Sequence, residues 1–241
     1  MERAKLISFL EELRRRLIII AVTVFLTAIV CFAFVEEILE VLTRPGKGLG
    51  MELIFIAPEE ALMADLRLAF VSAALVTLPF LLYQLVALIM ALAGRRRRHA
   101  FLLTLAMYIL FALGVAFAYG VAFPFALRFF LGFTSEDLVA TFTIQRYLSF
   151  AITFILSFGL IFQLPLVFWL LGSIGVVNTE FLRRNRKYAL LIIVIVAAII
   201  TPPDVFSQIL MSLPLLLLYE VGILLVAISQ RRREGAVSQE Q

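Results

Sequence analysis

The stretch IITPPDVFSQ, residues 199–208, sets two adjacent prolines and a carboxylate between two of the most apolar runs in the chain. Upstream, apolar sequence is unbroken only from Tyr188 to Ile200, behind the basic cluster Arg183, Arg184, Arg186 and Lys187. A helix over those 13 residues would be about 20 Å long, short of the roughly 30 Å hydrocarbon core of a bilayer. Downstream, Val205 to Ile228 is long enough to cross. Proline has no N–H to donate and clashes with the preceding turn, so Pro202 and Pro203 end the first run, and Asp204 stands at the N-cap position of the second. The stretch reads as the turn of a helical hairpin with one arm too short for a normal membrane. Such an element thins the bilayer locally or hides against partner protein.

The rest of the chain agrees with a membrane setting. Hydrophobic residues make up 63% and charged residues 16%, with a mean hydropathy of +1.06, which leaves too little polar surface to coat a soluble domain. Cys31 is the single cysteine and lies in an apolar run, which excludes a disulfide framework or a cysteine metal site. The single histidine, His99, sits beside four arginines, without partners for a metal centre or for histidine catalysis. No metal, cofactor or catalytic residue is expected. The basic residues fall in short blocks between apolar spans, a pattern explained by membrane orientation rather than nucleic acid.

Six apolar segments stand out, at 17–35, 68–93, 100–123, 147–174, 188–200 and 205–228. Backbone groups find no water in lipid, so segments of this length read as helices. Sixteen of the 21 Lys and Arg lie in four places: Arg3 to Arg16, Arg95 to Arg98, Arg183 to Lys187, and Arg231 to Arg233. Six crossings put all four on one side, which the positive-inside rule makes the cytoplasm, along with both chain ends. The first run is 19 residues long, lacks a small-x-small cleavage site and leads into VEEILE, so it reads as a retained helix rather than a signal peptide. The outer loops contain helix-like pieces such as PEEALMADLRLAF, with Pro58 suited to a first turn. Residues 1–241 read as one six-span domain without internal repeats.

Candidate functional residues are polar groups in or beside this apolar frame. In FLEELRRRL, residues 9–17, Glu12 and Arg16 are one helical turn apart, as are Glu11 and Arg15. That spacing allows ordinary surface ion pairs worth a few tenths of a kcal/mol, and it also lets Glu12 offer a carboxylate to a planar guanidinium ligand. Gln163, beside Pro165, lies inside the fourth span, where an amide commonly joins helices for about 0.6 kcal/mol. Glu220 lies inside the sixth, where an unpaired carboxylate at the centre costs roughly 2.5 kcal/mol or more. Phosphate-loop, GxSxG and HExxH motifs are absent. The work is therefore driven by the membrane potential, the proton gradient or a partner.

FLEELRRRL, Pro45, PEE at 58–60, LPFLLYQ at 78–84, FAYGVAFP at 117–124, YLSFAITFILSFGLIFQLP at 147–165, RKYALLII at 186–193, TPPDVFSQ and LPLLLLYE at 213–220 occur in one order along the chain. Together they resemble the TatC family, the receptor and core subunit of the twin-arginine protein translocase. The resemblance implies an all-α inner-membrane protein, a curved wall of six helices with short fifth and sixth helices and cytoplasmic termini. It implies binding of the paired arginines of export signal peptides, and work with single-span TatA and TatB subunits in passing folded proteins, driven by the proton-motive force. Self-association in a multi-subunit receptor complex also follows. By position, Glu12 and Arg14 match the family's amino-terminal signal-binding motif, Gln163 its polar intramembrane site, and Asp204, Gln208 and Glu220 the region of partner contact.

The chain departs from the family in its first cytoplasmic loop. There the family carries a stretch like WxFxxPGLYxxE, whereas this chain reads VALIMALAGRRRR. Aligned from Gln84, Arg97 takes the carboxylate position and Leu88 and Ala91 the aromatic and proline positions. An arginine there repels an arginine pair, so weakened binding of standard signals is expected. Phe9 also stands where the family commonly has histidine. The competing class is a proton-coupled or ion-coupled small-molecule transporter, with Gln163 and Glu220 lining the path; against it stands the lack of repeats and matching broken helices.

Overall fold

The structure, a computed structural model, describes residues 2–51, 53–92, 97–132, 142–173, 175–200 and 205–237; for 2–9, 88–92, 97–100, 199–200, 205–207, 210 and 231–237 it describes the backbone alone. The elements in chain order are α1 (Glu2–Ala33), α2 (Val35–Lys47), β1 (Leu53–Ile54), α3 (Glu59–Leu92), α4 (Arg97–Phe117), a π-helical turn (Ala118–Ala122), α5 (Phe123–Leu131), β2 (Phe142–Thr143), α6 (Ile144–Ile161), α7 (Leu164–Ser173), α8 (Thr179–Arg184), α9 (Arg186–Ile200) and α10 (Val205–Val237). Among the described residues, five helical stretches are long and apolar enough to cross a membrane: Leu10–Ala33, Glu59–Ala87, Phe101–Leu131, Ile144–Ser173 and Met211–Gln230. α9 has 15 residues, about 22 Å of helix.

α1, α3, α4 and α10 each extend past an apolar run at one end, because charged flanks continue a helix into water. α1 takes in the whole FLEELRRRL stretch. α3 starts at Glu59, with Glu59 and Glu60 in the first turn, where the positive end of the helix dipole favours carboxylates. α10 runs on through Arg231–Arg233 and is 33 residues long, longer than the short sixth helix the resemblance implies, and its apolar part Met211–Gln230 is itself long enough to cross. Arginine is a strong helix former, so the helix does not stop where the apolar sequence ends.

Prolines account for the irregularities. Pro124 cannot bond to the carbonyl of Gly120, and the helix widens into the π turn just before it. Pro165 likewise leaves Ile161 without its usual partner, and the helix breaks at Phe162 and Gln163. The Gln163 carbonyl then accepts from both Leu166 and Val167 at 3.0 Å, restarting the helix as α7.

The chain divides into two compact units, Met1–Ile109 with Phe133–Ile152, and Leu110–Gly132 with Thr153–Gln241. In the first, α1 lies along α3 through the buried small residues Ala28, Cys31, Ala69 and Ala73, which let the backbones approach closely. α2 packs on α3, and its Leu42 carbonyl accepts from the Tyr147 hydroxyl at 3.0 Å. The segments that follow α2 and precede α6 meet in a parallel two-residue ladder, Leu53 opposite Phe142 and Ile54 opposite Thr143.

In the second unit α10 packs on α7, α8 and α9, around a core of Ile161, Leu182, Ile193, Leu215, Tyr219, Ile223 and Val226. The Tyr219 hydroxyl donates to the Leu182 carbonyl at 2.8 Å, so this buried polar tip is satisfied. Phe154 stacks obliquely on Phe158 and Phe123 at centroid distances of 5.1 and 5.9 Å. Gly114 lies so close to α6 that a Cβ would stand 2.6 Å from the Phe158 carbonyl oxygen.

Candidate functional site

Glu12 sits on α1 and remains half exposed, while Arg16, one turn further on, keeps only 16% of its side chain exposed. Helical spacing stacks the two side chains on one face. Arg16 turns its Nε and Nη2 to a single Glu12 oxygen, Oε1, at 3.1 and 2.5 Å. Its Nη1 donates to the backbone carbonyl of Gln84 at 2.9 Å and to the Gln84 side-chain Oε1 at 3.2 Å. Gln84 is on α3, so the guanidinium bridges the two helices, and Glu12 is held through it. Among the described residues, Glu12 Oε2 has no hydrogen-bond partner. Arg14 is exposed beside this cluster.

α4 begins at Arg97 and α3 contains Leu88 and Ala91, but the side chains of these three lie outside the described residues. Asp204 likewise lies outside the described residues; α10 begins at Val205.

A second group of polar residues lies in the α6–α10 region. Gln163, partly buried at the α6–α7 break, turns its Nε2 back to the Gly159 carbonyl at 3.4 Å. Gln208 donates from Nε2 to the Val194 carbonyl at 3.1 Å. Glu220 pairs with Arg186, Oε2 to Nη2 at 2.8 Å. The contacts 194–208 and 186–220 make α9 and α10 an antiparallel hairpin, as the proline turn implies. They also place the start of α9 level with the midpoint of the apolar stretch Met211–Gln230. Glu220 is therefore not a lone carboxylate in lipid: its partner sits on the neighbouring helix, and both side chains are about half exposed, 50% and 54%.

Among the described residues no three His, Cys, Asp or Glu side chains gather as metal ligands.

A sequence model of the TatC family, described as Sec-independent protein translocase protein, matches residues 8–214. The chain belongs to the TatC family. A TatC of Carboxydothermus hydrogenoformans is 38% identical over 220 residues, 90% of each chain, and one of Aquifex aeolicus is 35% identical over 234 residues, 95% of this chain and 97% of that one. The crystal structure of a twin arginine translocase receptor, TatC, superposes with a TM-score of 0.80 at 35% identity, covering 92% of this chain and 99% of that chain. The TatC family is one of protein translocase components rather than enzymes, and its members serve Sec-independent protein translocation. With its apolar spanning helices, this TatC-family chain is a multi-pass protein of the cell membrane.

The sequence points to Glu12 and Glu220 without their full surroundings. Arg16 is visible there as the i+4 neighbour of Glu12, but Gln84 as a third member is not, since nothing local links positions 68 residues apart. Arg186 reads only as part of a charge block that sets orientation.

Proposed function

We propose that the chain is the signal-reading receptor and core subunit of a twin-arginine translocase, exporting folded proteins across the cytoplasmic membrane with the proton-motive force. The observation that carries this reading is the Glu12 carboxylate, which already holds a guanidinium fork and keeps one oxygen open. A signal arginine presents the same fork, and bidentate pairing with a carboxylate is among the stronger polar contacts available. Glu12 and Arg14 read the signal at the cytoplasmic edge. Arg97, standing in the family's carboxylate position, weakens the site for standard signals through like-charge repulsion.

In this reading the chain crosses six times with α9 as the fifth crossing, and both ends are cytoplasmic. About 22 Å of α9 against roughly 30 Å of hydrocarbon leaves a thinned flank. The ion pair of Arg186 and Glu220 at the end of α9 supports water or headgroups reaching that depth. Gln163, Asp204, Gln208 and Glu220 then form the polar margin against which single-span TatA and TatB type subunits dock, in a receptor complex of several copies.

Complementation tests the proposal directly. In a strain lacking its own TatC, the native chain should restore export of a folded reporter bearing a twin-arginine signal, and Glu12→Gln should not. Restoration by Glu12→Gln equal to the native chain would remove Glu12 from the receptor site.

A further inference from the structure

The guanidinium on Glu12 belongs to the chain itself. Four donor contacts hold Arg16 in place: two to Glu12 and two to Gln84. The Gln84 end is the firmer one, since it includes a backbone carbonyl on another helix and lies where Arg16 is largely buried. Glu12 is the looser partner, since its side chain is half exposed. An incoming arginine that seeks both carboxylate oxygens finds Oε1 already accepting two N–H groups and the charge of Glu12 balanced.

Resting on Glu12 as the signal-binding carboxylate, we infer that Arg16 is an intramolecular occupant of that carboxylate, which a signal arginine must displace, and that it thereby sets the affinity and selectivity of the site. The signal does not dislodge Arg16 from Gln84; it draws Glu12 away from Arg16. The competition is modest, because an ion pair one turn apart with its carboxylate half exposed contributes only a few tenths to about 1 kcal/mol. Converted at 1.4 kcal/mol per tenfold, releasing Glu12 tightens binding of an arginine pair by roughly 2- to 5-fold. The gain is larger for arginine than for lysine, because what is freed is a two-oxygen acceptor matched to a planar fork rather than a bare negative charge.

The test uses the full chain in detergent and fluorescent peptides bearing an Arg-Arg pair or a Lys-Lys pair, with binding read by anisotropy at low and high salt. Arg16→Met and Arg16→Gln should each tighten Arg-Arg binding about 2- to 5-fold, with a smaller gain for Lys-Lys. Arg16→Lys, which keeps the cation but loses the fork, should gain less than either. Combined with Glu12→Gln, the Arg16→Met gain for Arg-Arg over Lys-Lys should vanish. Binding to Arg16→Met and Arg16→Gln no tighter than native overturns the inference, and so does an equal gain for both peptides, which would make Arg16 a source of general repulsion only. If Arg16→Met lowers thermal stability too far to assay, Arg16→Gln decides, since it keeps a donor for the Gln84 carbonyl. The underlying reading fails separately: Glu12→Gln would then bind Arg-Arg as tightly as the native chain, and the inference would fall with it.

Discussion

Arg186 Nη2 lies 2.8 Å from Glu220 Oε2, joining the first turn of α9 to the middle of the apolar part of α10. The pair sits 34 residues apart in sequence and is the register mark of the hairpin. Two half-exposed ions contribute little to each other in water, about 0.2–1 kcal/mol, but either one alone in a lipid-facing position is costly. Glu220→Leu should therefore lower thermal stability more in a bilayer than in detergent, and the double change Glu220→Leu, Arg186→Leu should recover part of the loss. Melting curves of the two single variants and the double variant in nanodiscs measure the coupling.

Gly114→Ala should destabilise the second unit by about 1–3 kcal/mol, the usual range for overpacking. The obstacle is a backbone oxygen 2.6 Å from the added carbon, which no rotamer change can move aside. A melting temperature equal to that of the native chain would show that α4 and α6 separate without cost.

Asn178→Ala should cost about 1 kcal/mol through loss of an N-cap. The Asn178 side-chain oxygen accepts from the Phe181 N–H at 2.6 Å and closes the first turn of α8. Asn178→Asp or Asn178→Ser should retain most of the stability, because both can accept the same bond, and thermal denaturation ranks the three variants.

Arg97→Glu should raise the crosslinking yield of a twin-arginine peptide relative to the native chain, by restoring a carboxylate where the family has one. Equal yields would mean that position 97 does not take part in signal binding.

Labelling of single introduced cysteines near Arg96, Arg184 and Arg232 should be possible from the same side of the membrane. Finding position 184 on the side opposite to 96 would show that α9 does not cross.

Much of this is readable from residue order. The apolar runs mark the helices because lipid allows no other economical backbone, and the i+4 spacing of Glu12 and Arg16 announces their pairing; the break before α7, inside what reads as one span over 147–174, is not announced. The π turn before Pro124 is not legible there, since a single proline is equally compatible with a kink. Gln84 and Arg186 owe their roles to contacts across helices, which no local period encodes. The extent of α10 beyond Ile228 escapes the sequence because hydropathy reports where lipid ends, and helices continue past that point.

The β1–β2 ladder has a consequence for assembly. Parallel strands need a crossover connection, because a tight turn can join only antiparallel ones. Here that crossover is the whole chain over residues 55–141, including α3, α4 and α5. Leu53 and Ile54 must wait, without their ladder partners, until Phe142 and Thr143 have been made. This two-residue ladder is thus a clasp that closes late, after every helix from α3 to α5 has left the ribosome.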